Sequence, residues 1–189
     1  MDVTPYLKEG VPNILAVRLE NQPESSRWYP GAGLYRNVHL VVTEDVHIPT
    51  WGTQLTTPVV KDDYAKVNLK TKLVVPTDKN FDKYRIVTDL LDKNGKVVAT
   101  NEKQGTCFDD NTFSQELIVT SPALWSPDTP NLYQANSKVY EGDVLKDEYT
   151  TTFGIRTIEI IPDKGFYLNG KRTVFKGVCN HHDLGPLGA

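Results

Sequence analysis

Tyr84-Arg85-Ile86-Val87-Thr88-Asp89-Leu90-Leu91-Asp92-Lys93-Asn94-Gly95-Lys96-Val97-Val98-Ala99-Thr100 is the stretch from which the fold is read. Its first eight residues form a β-prone run and its last four resume one. Between them, Asp92 to Lys96 holds an Asn-Gly pair, which favours a primed hairpin turn because both central residues of that turn need positive φ. The stretch therefore predicts a β-hairpin.

Working outward, the same pattern repeats at even spacing. Lys66 to Val75 alternates apolar and polar residues and stops at Pro76-Thr77-Asp78. A first strand is expected near Thr53 to Val60, and Thr112 to Thr120, Leu132 to Tyr140 and Val144 to Phe153 supply three more. The last two are joined by Glu141-Gly142-Asp143. Some seven strands over roughly 105 residues are the signature of an immunoglobulin-like β-sandwich. With no Cys-Trp-Cys framework, an antibody-type domain is excluded. The segment Leu124-Trp125-Ser126-Pro127-Asp128-Thr129-Pro130 holds too much proline for a helix, and no other stretch reads as one. The fold class expected is all-β, a sandwich over residues 46–153 flanked by partial β-elements.

The flanks carry less. Asn13 to Leu19 reads as a strand after the turn Glu9-Gly10-Val11-Pro12, and Leu34 to Val42 reads as another beyond a polar loop, Glu20 to Gly33. An isolated strand pair is marginal in water. Residues 1–45 are therefore expected to be the tail of a β-domain, its apolar face packed on the sandwich or paired with another chain. After Phe153, Ile155 to Ile161 alternates with period two, Phe166 to Leu168 extends, and Asn169-Gly170 marks a second primed turn before Lys171 to Phe175. This hairpin, at the start of residues 154–189, leads to Phe175-Lys176-Gly177-Val178-Cys179-Asn180-His181-His182-Asp183-Leu184-Gly185, a strand feeding a loop that holds two of the four histidines. Loops at strand ends are where scaffolds place chemistry. The chain is expected to be a piece of a larger protein, ending where an active site begins.

Composition narrows the function classes. The chain has 189 residues, 39% hydrophobic and 24% charged, with a formal net charge of -3. That charge is spread without a basic block, which argues against a nucleic-acid partner. No apolar run approaches the roughly 20 residues that cross a bilayer, and Met1-Asp2-Val3-Thr4-Pro5 lacks the features of a signal peptide. Cys107 and Cys179 match no zinc or redox spacing and read as free thiols. Compartment is left open.

The residues also carry a resemblance. Arg27-Trp28-Tyr29-Pro30-Gly31-Ala32-Gly33-Leu34-Tyr35-Arg36-Asn37-Val38 resembles the end of the sugar-binding jelly roll of family 2 glycoside hydrolases. Leu124 to Tyr133 resembles their sandwich, and Phe153-Gly154-Ile155-Arg156, Leu168-Asn169-Gly170-Lys171 and Phe175-Lys176-Gly177-Val178 resemble the entry to their catalytic barrel. The loop after Val178 looks most like that of the β-galactosidase branch. The resemblance implies that residues 1–45 end a jelly roll and 154–189 begin a (β/α)₈ barrel. It also implies a β-galactoside as the parent's substrate and a retaining mechanism on two downstream glutamates, whose carboxyls must lie about 5 to 5.5 Å apart. On this reading the chain alone is inactive. It needs no cofactor within these residues, and a divalent cation is left open for the parent barrel. The rival reading is a stand-alone carbohydrate-binding or adhesin-like module.

By the same resemblance, His181 matches a family histidine near the sugar that helps stabilise the transition state, where a donor to a sugar hydroxyl is useful. The sequence departs from the pattern with Cys179 where asparagine is common and His182 where glutamate is common. His182 and Asp183 are carried as further substrate-binding candidates, as are Ser26 and Arg27 in the polar loop. Against these stand plain alternatives: solvated loop histidines, and an Arg27 stacked on Trp28 or Tyr29. Arg36 and Asn37 read as structural. Trp51 and Trp125 are expected to be buried or half-buried rather than sugar platforms, and His39 and His47 are assigned no role.

Overall fold

The computed structural model describes residues 1–20, 22, 33–34, 37–75, 80–105 and 111–178. The chain divides into two compact units, Met1–Val41 and Val42–Ala189. In the second, seven strands build the sandwich: β1 (Thr53–Val60), β2 (Tyr64–Lys72), β3 (Tyr84–Leu91), β4 (Val97–Gln104), β5 (Thr112–Thr120), β6 (Tyr133–Glu141) and β7 (Val144–Phe153). They form antiparallel sheets ordered β1-β2-β5 and β4-β3-β6-β7, so the chain changes sheet after β2, after β4 and after β5. A third sheet, β10-β9-β8, holds β8 (Ile158–Ile161), β9 (Gly165–Leu168) and β10 (Lys171–Arg172). The protein is all-β, as its alternation predicts.

Side chains of successive strand residues point to opposite faces, and burial follows that period: β3 is buried at Tyr84, Ile86, Thr88 and Leu90 and only half-buried between. The core has an internal layering. One apolar cluster holds Ala65, Val67, Leu69, Leu90, Leu117, Val119, Tyr133, Ala135 and Ile155; the other holds Val46, Ile48, Leu73, Tyr84, Ile86, Phe113 and Val139. On each of four strands a single buried polar residue falls between them: Thr71 on β2, Thr88 on β3, Gln115 on β5 and Ser137 on β6. Thr88 Oγ1 donates to Gln115 Oε1 at 2.8 Å and lies 2.9 Å from Ser137 Oγ, while Gln115 Nε2 donates to the Asn101 carbonyl at 2.9 Å. Buried polar groups are tolerable when bonded in this way. Thr71 Oγ1 differs, finding no partner among the described residues.

Three expectations about local structure are corrected. The first concerns Asn94-Gly95, where only Gly95 has positive φ, at 77°. The Gly95 amide donates to the Asp92 carbonyl and the Asp92 amide to Lys96, both at 2.9 Å, which gives a type I turn closed by a left-handed glycine. Asp92 Oδ1 stabilises it by accepting from the amides of Asn94 (2.8 Å) and Lys96 (3.0 Å). Asn169-Gly170, by contrast, has both φ values positive, 50° and 74°, as the primed turn requires. Second, the strands expected over 13–19 and 34–42 do not form among the described residues of those ranges. A strand exists only through a partner ladder, and here the side chains of Ile14, Leu15, Val17, Leu40 and Val42 are exposed. Third, the expected strands 155–161 and 171–175 shorten to β8 and β10. Ile155 and Thr157 give their backbone bonds to Trp125 and Asn169 instead, as described next. Among the described residues there is no α-helix, only single 3-10 turns at Thr4–Tyr6 and Phe81–Lys83.

Candidate functional site

Leu124 to Asn131, between β5 and β6, is a proline-bearing loop that its own side chains hold shut. Ser126 and Thr129 pair through their hydroxyls at 2.8 Å, and Ser126 Oγ accepts from the Thr129 amide at 3.0 Å. Asn131 Nδ2 donates to the Leu124 carbonyl at 3.0 Å, and Trp125 bridges to Pro130. On the strand side, Tyr133 Oη accepts from the Ala123 amide at 2.8 Å. The Trp125 backbone is thereby fixed at the end of the sandwich.

The segment leaving β7 wraps around that fixed point. The Trp125 amide donates to the Ile155 carbonyl at 2.8 Å, and Ile155 is fully buried. A Cβ on Gly154 would fall 2.7 Å from Trp125 Cβ, so the backbone passes where only glycine fits. The Arg156 guanidinium lies 5.2 Å from the Trp125 ring centre, a cation-π distance. Asn169 completes the junction. Its Oδ1 accepts from the Thr157 amide at 3.0 Å, its own amide donates to the Thr157 carbonyl at 3.0 Å, and its Nδ2 donates to the Trp125 carbonyl at 2.9 Å.

Below this junction lies an open groove of about 600 Å³, whose lining includes Trp125, Leu132, Phe153, Arg156, Phe166 and Phe175. The Phe166 and Phe175 rings stand 4.6 Å apart and tie the outgoing chain to β9. The lining is mainly apolar, its charged members are Arg156 and Lys176, and it holds no carboxylate. It therefore holds no carboxylate pair of the kind a retaining hydrolysis uses. Among the described residues no group of three His, Cys, Asp or Glu side chains is placed to hold a metal ion.

Of the substrate-binding candidates, Ser26, Arg27, His181, His182 and Asp183 all lie outside the described residues, as do both cysteines. Trp125 is half-buried, as expected. Trp51 overturns its expectation: it is 90% exposed, at φ 60°, in a turn closed by Gly52 N to Pro49 O at 2.6 Å, with its amide donating to Tyr149 Oη. Exposure follows from the conformation, because the left-handed backbone turns this side chain out of the alternation that begins at β1. His47 Nδ1 lies 2.8 Å from the Glu44 carbonyl, a local structural bond. The role of Asn169 was missed because its pairing with Gly170 accounts for it as a turn residue. Glu141, held between Lys146 Nζ (3.1 Å) and Lys83 Nζ (3.2 Å), has its carboxyl pulled below the usual range by those hydrogen bonds, Lys146 first; it is a half-buried structural network.

The described strands define an immunoglobulin-like β-sandwich domain with a short hairpin bonded to one end. The family model of glycosyl hydrolases family 2 matches residues 46–156, and the chain belongs to that family. It is 45% identical over 191 residues to the β-galactosidase BoGH2A of Bacteroides ovatus, covering 100% of this chain and 22% of that protein. To a β-glucuronidase of Bacteroides fragilis it is 30% identical, covering 99% of this chain and 28% of the relative. Among solved structures, a β-glycosidase from Bacteroides vulgatus matches with a TM-score of 0.72 at 32% identity, over 86% of this chain and 20% of that one. The chain thus spans 20% to 28% of the length of these relatives.

Proposed function

We propose that this chain serves within a retaining glycoside hydrolase that hydrolyses terminal β-galactosides. In this reading residues 1–45 end a sugar-binding jelly roll, 46–153 are the connecting sandwich, and 154–189 begin the catalytic barrel. The sandwich is non-catalytic: it holds the two neighbouring domains against one active-site rim. Ser26, Arg27, His181, His182 and Asp183 contact the sugar, and the two glutamates of the retaining mechanism belong to the barrel. The observation that carries the reading is convergence. Three stretches that resemble the family, around Trp125, Gly154 and Asn169, are far apart in sequence and meet in one junction.

The substrate rests on the name of the 45% identical relative. The test is hydrolysis of chromogenic β-galactoside and β-glucuronide by this chain and by the whole gene product. Galactoside turnover by the whole product and none by the 189 residues is expected. Turnover of the glucuronide alone would reassign the substrate, and turnover of neither would remove the hydrolase reading. Galactoside binding by the isolated chain, seen by NMR or calorimetry, would favour a carbohydrate-binding module. The exposed apolar residues of the first unit, Ile14, Leu15, Val17 and Leu19 among them, further support self-association of the isolated chain.

A further inference from the structure

We infer that Asn169 is a positioning residue: its side-chain amide couples the direction of the hairpin β8-β9-β10 to the sandwich, and so aims the chain that leaves β10. The other polar contacts described at the junction act before the hairpin starts. The Trp125 amide holds Ile155, the tight passage involves Gly154, and the cation-π contact involves Arg156. From Ile158 onward the hairpin has little apolar hold. Ile158 and Ile160 are exposed, and Leu168 is its one buried residue among those described. A hairpin with one buried residue, and Phe166 and Tyr167 only half-buried, has little apolar packing to hold its direction. The hydrogen bond that crosses from hairpin to sandwich end, among the described residues, is Asn169 Nδ2 to the Trp125 carbonyl at 2.9 Å.

The receiving group is itself immobilised, since Trp125 is bonded through its amide and bridged to Pro130, in a loop closed by Asn131 and Ser126. The donor is equally constrained: Asn169 sits at φ 50° in the turn and its Oδ1 is engaged by the Thr157 amide, which leaves Nδ2 one direction in which to point. One side chain thus joins the turn, the strand entering the hairpin, and the sandwich. Neither glycine nor aspartate does all three. Glycine tolerates the backbone but has no amide; aspartate tolerates it and keeps the acceptor for Thr157, but at neutral pH has no donor for Trp125. That this direction matters for sugar contact by residues 181–183 rests on the function proposed above; the coupling itself does not.

The variants Asn169→Asp and Asn169→Gly separate the anchor from the turn. Residual dipolar couplings of backbone amides in the 189-residue chain report whether the hairpin and β1–β7 share one alignment. In the parent sequence the hairpin couplings are expected to fit the sandwich tensor. In both variants the cross-strand contacts between β8 and β9 are expected to persist while the hairpin couplings cease to fit that tensor. Couplings that still fit in both variants would overturn the inference. So would loss of the β8–β9 contacts themselves, since Asn169 would then act only on the turn. Because no sugar enters the measurement, its failure leaves the glycosidase reading standing, and failure of the hydrolysis assay leaves the coupling standing.

Discussion

Asp92 accepts hydrogen bonds from the Lys96 and Asn94 amides, and these hold its carboxyl below the ordinary carboxylate value of 3.8. The sign follows from linkage: a group with a depressed folded pKa stabilises the fold above its unfolded value and loses that contribution as pH falls through the folded one. The β3–β4 turn should therefore weaken on acidification from about pH 5 downward. An NMR titration of the Asp92 carboxyl is expected to show a midpoint below 3.8 in the native protein. The stability gap between the native protein and Asp92→Ala is expected to narrow as pH drops; a gap independent of pH would sink the account. The same carboxylate explains why two Asn-Gly pairs adopt different turns. At Asn94 a carboxylate two residues upstream captures the Asn94 and Lys96 amides and stabilises the type I turn. At Asn169 the side chain is drawn to Thr157 and Trp125, and the primed turn stands.

At the scale of the strand, the polar layer gives a paired expectation. Thr88→Val removes the hydroxyl that serves Gln115 and Ser137, leaving buried polar atoms short of a partner, and should cost about 1–3 kcal/mol. Thr71→Val makes the same chemical change in the same layer, but the hydroxyl it removes has no partner among the described residues. It should be neutral or stabilise by up to about 1–3 kcal/mol. Urea denaturation of the two variants distinguishes them by sign. Equal losses from both would show that the layer acts through packing alone. The layer was legible in part: Thr71 shares strand parity with Leu69 and Leu73, Thr88 with Ile86 and Leu90, and Gln115 with Phe113 and Leu117. Period two places each on the inner face. It does not say that Thr88, Gln115 and Ser137, from three strands drawn from both sheets, meet in one hydrogen-bonded cluster.

For the molecule as a whole, self-association is the expected consequence of the exposed apolar side chains in Met1–Val41. Sedimentation of the isolated chain should give a mass above 21.2 kDa that rises with concentration. The double variant Ile14→Asp/Val17→Asp should return it to the monomer, and a native chain monomeric at all concentrations would count against the idea. The family to which the chain belongs was visible in its motifs, because each is a short contiguous string of distinctive residue types, among them the glycine that passes the Trp125 side chain and the asparagine of a left-handed turn. The substrate-binding candidates Ser26, Arg27, His181, His182 and Asp183 rest on that resemblance and lie outside the described residues.

What the sequence determined by itself is the set of strands and the face each presents. Those depend on side-chain alternation and turn residues, which act over a few positions. Four sandwich strands, β1, β3, β5 and β7, span the residues predicted for them. Only the tertiary structure decided that 13–19 and 34–42 lack a ladder among their described residues, that Trp51 faces outward, and that Asn169 reaches a carbonyl 44 residues upstream. Each of these depends on a partner distant in sequence. Whether such a partner lies within hydrogen-bonding distance is settled by packing, which no local pattern records.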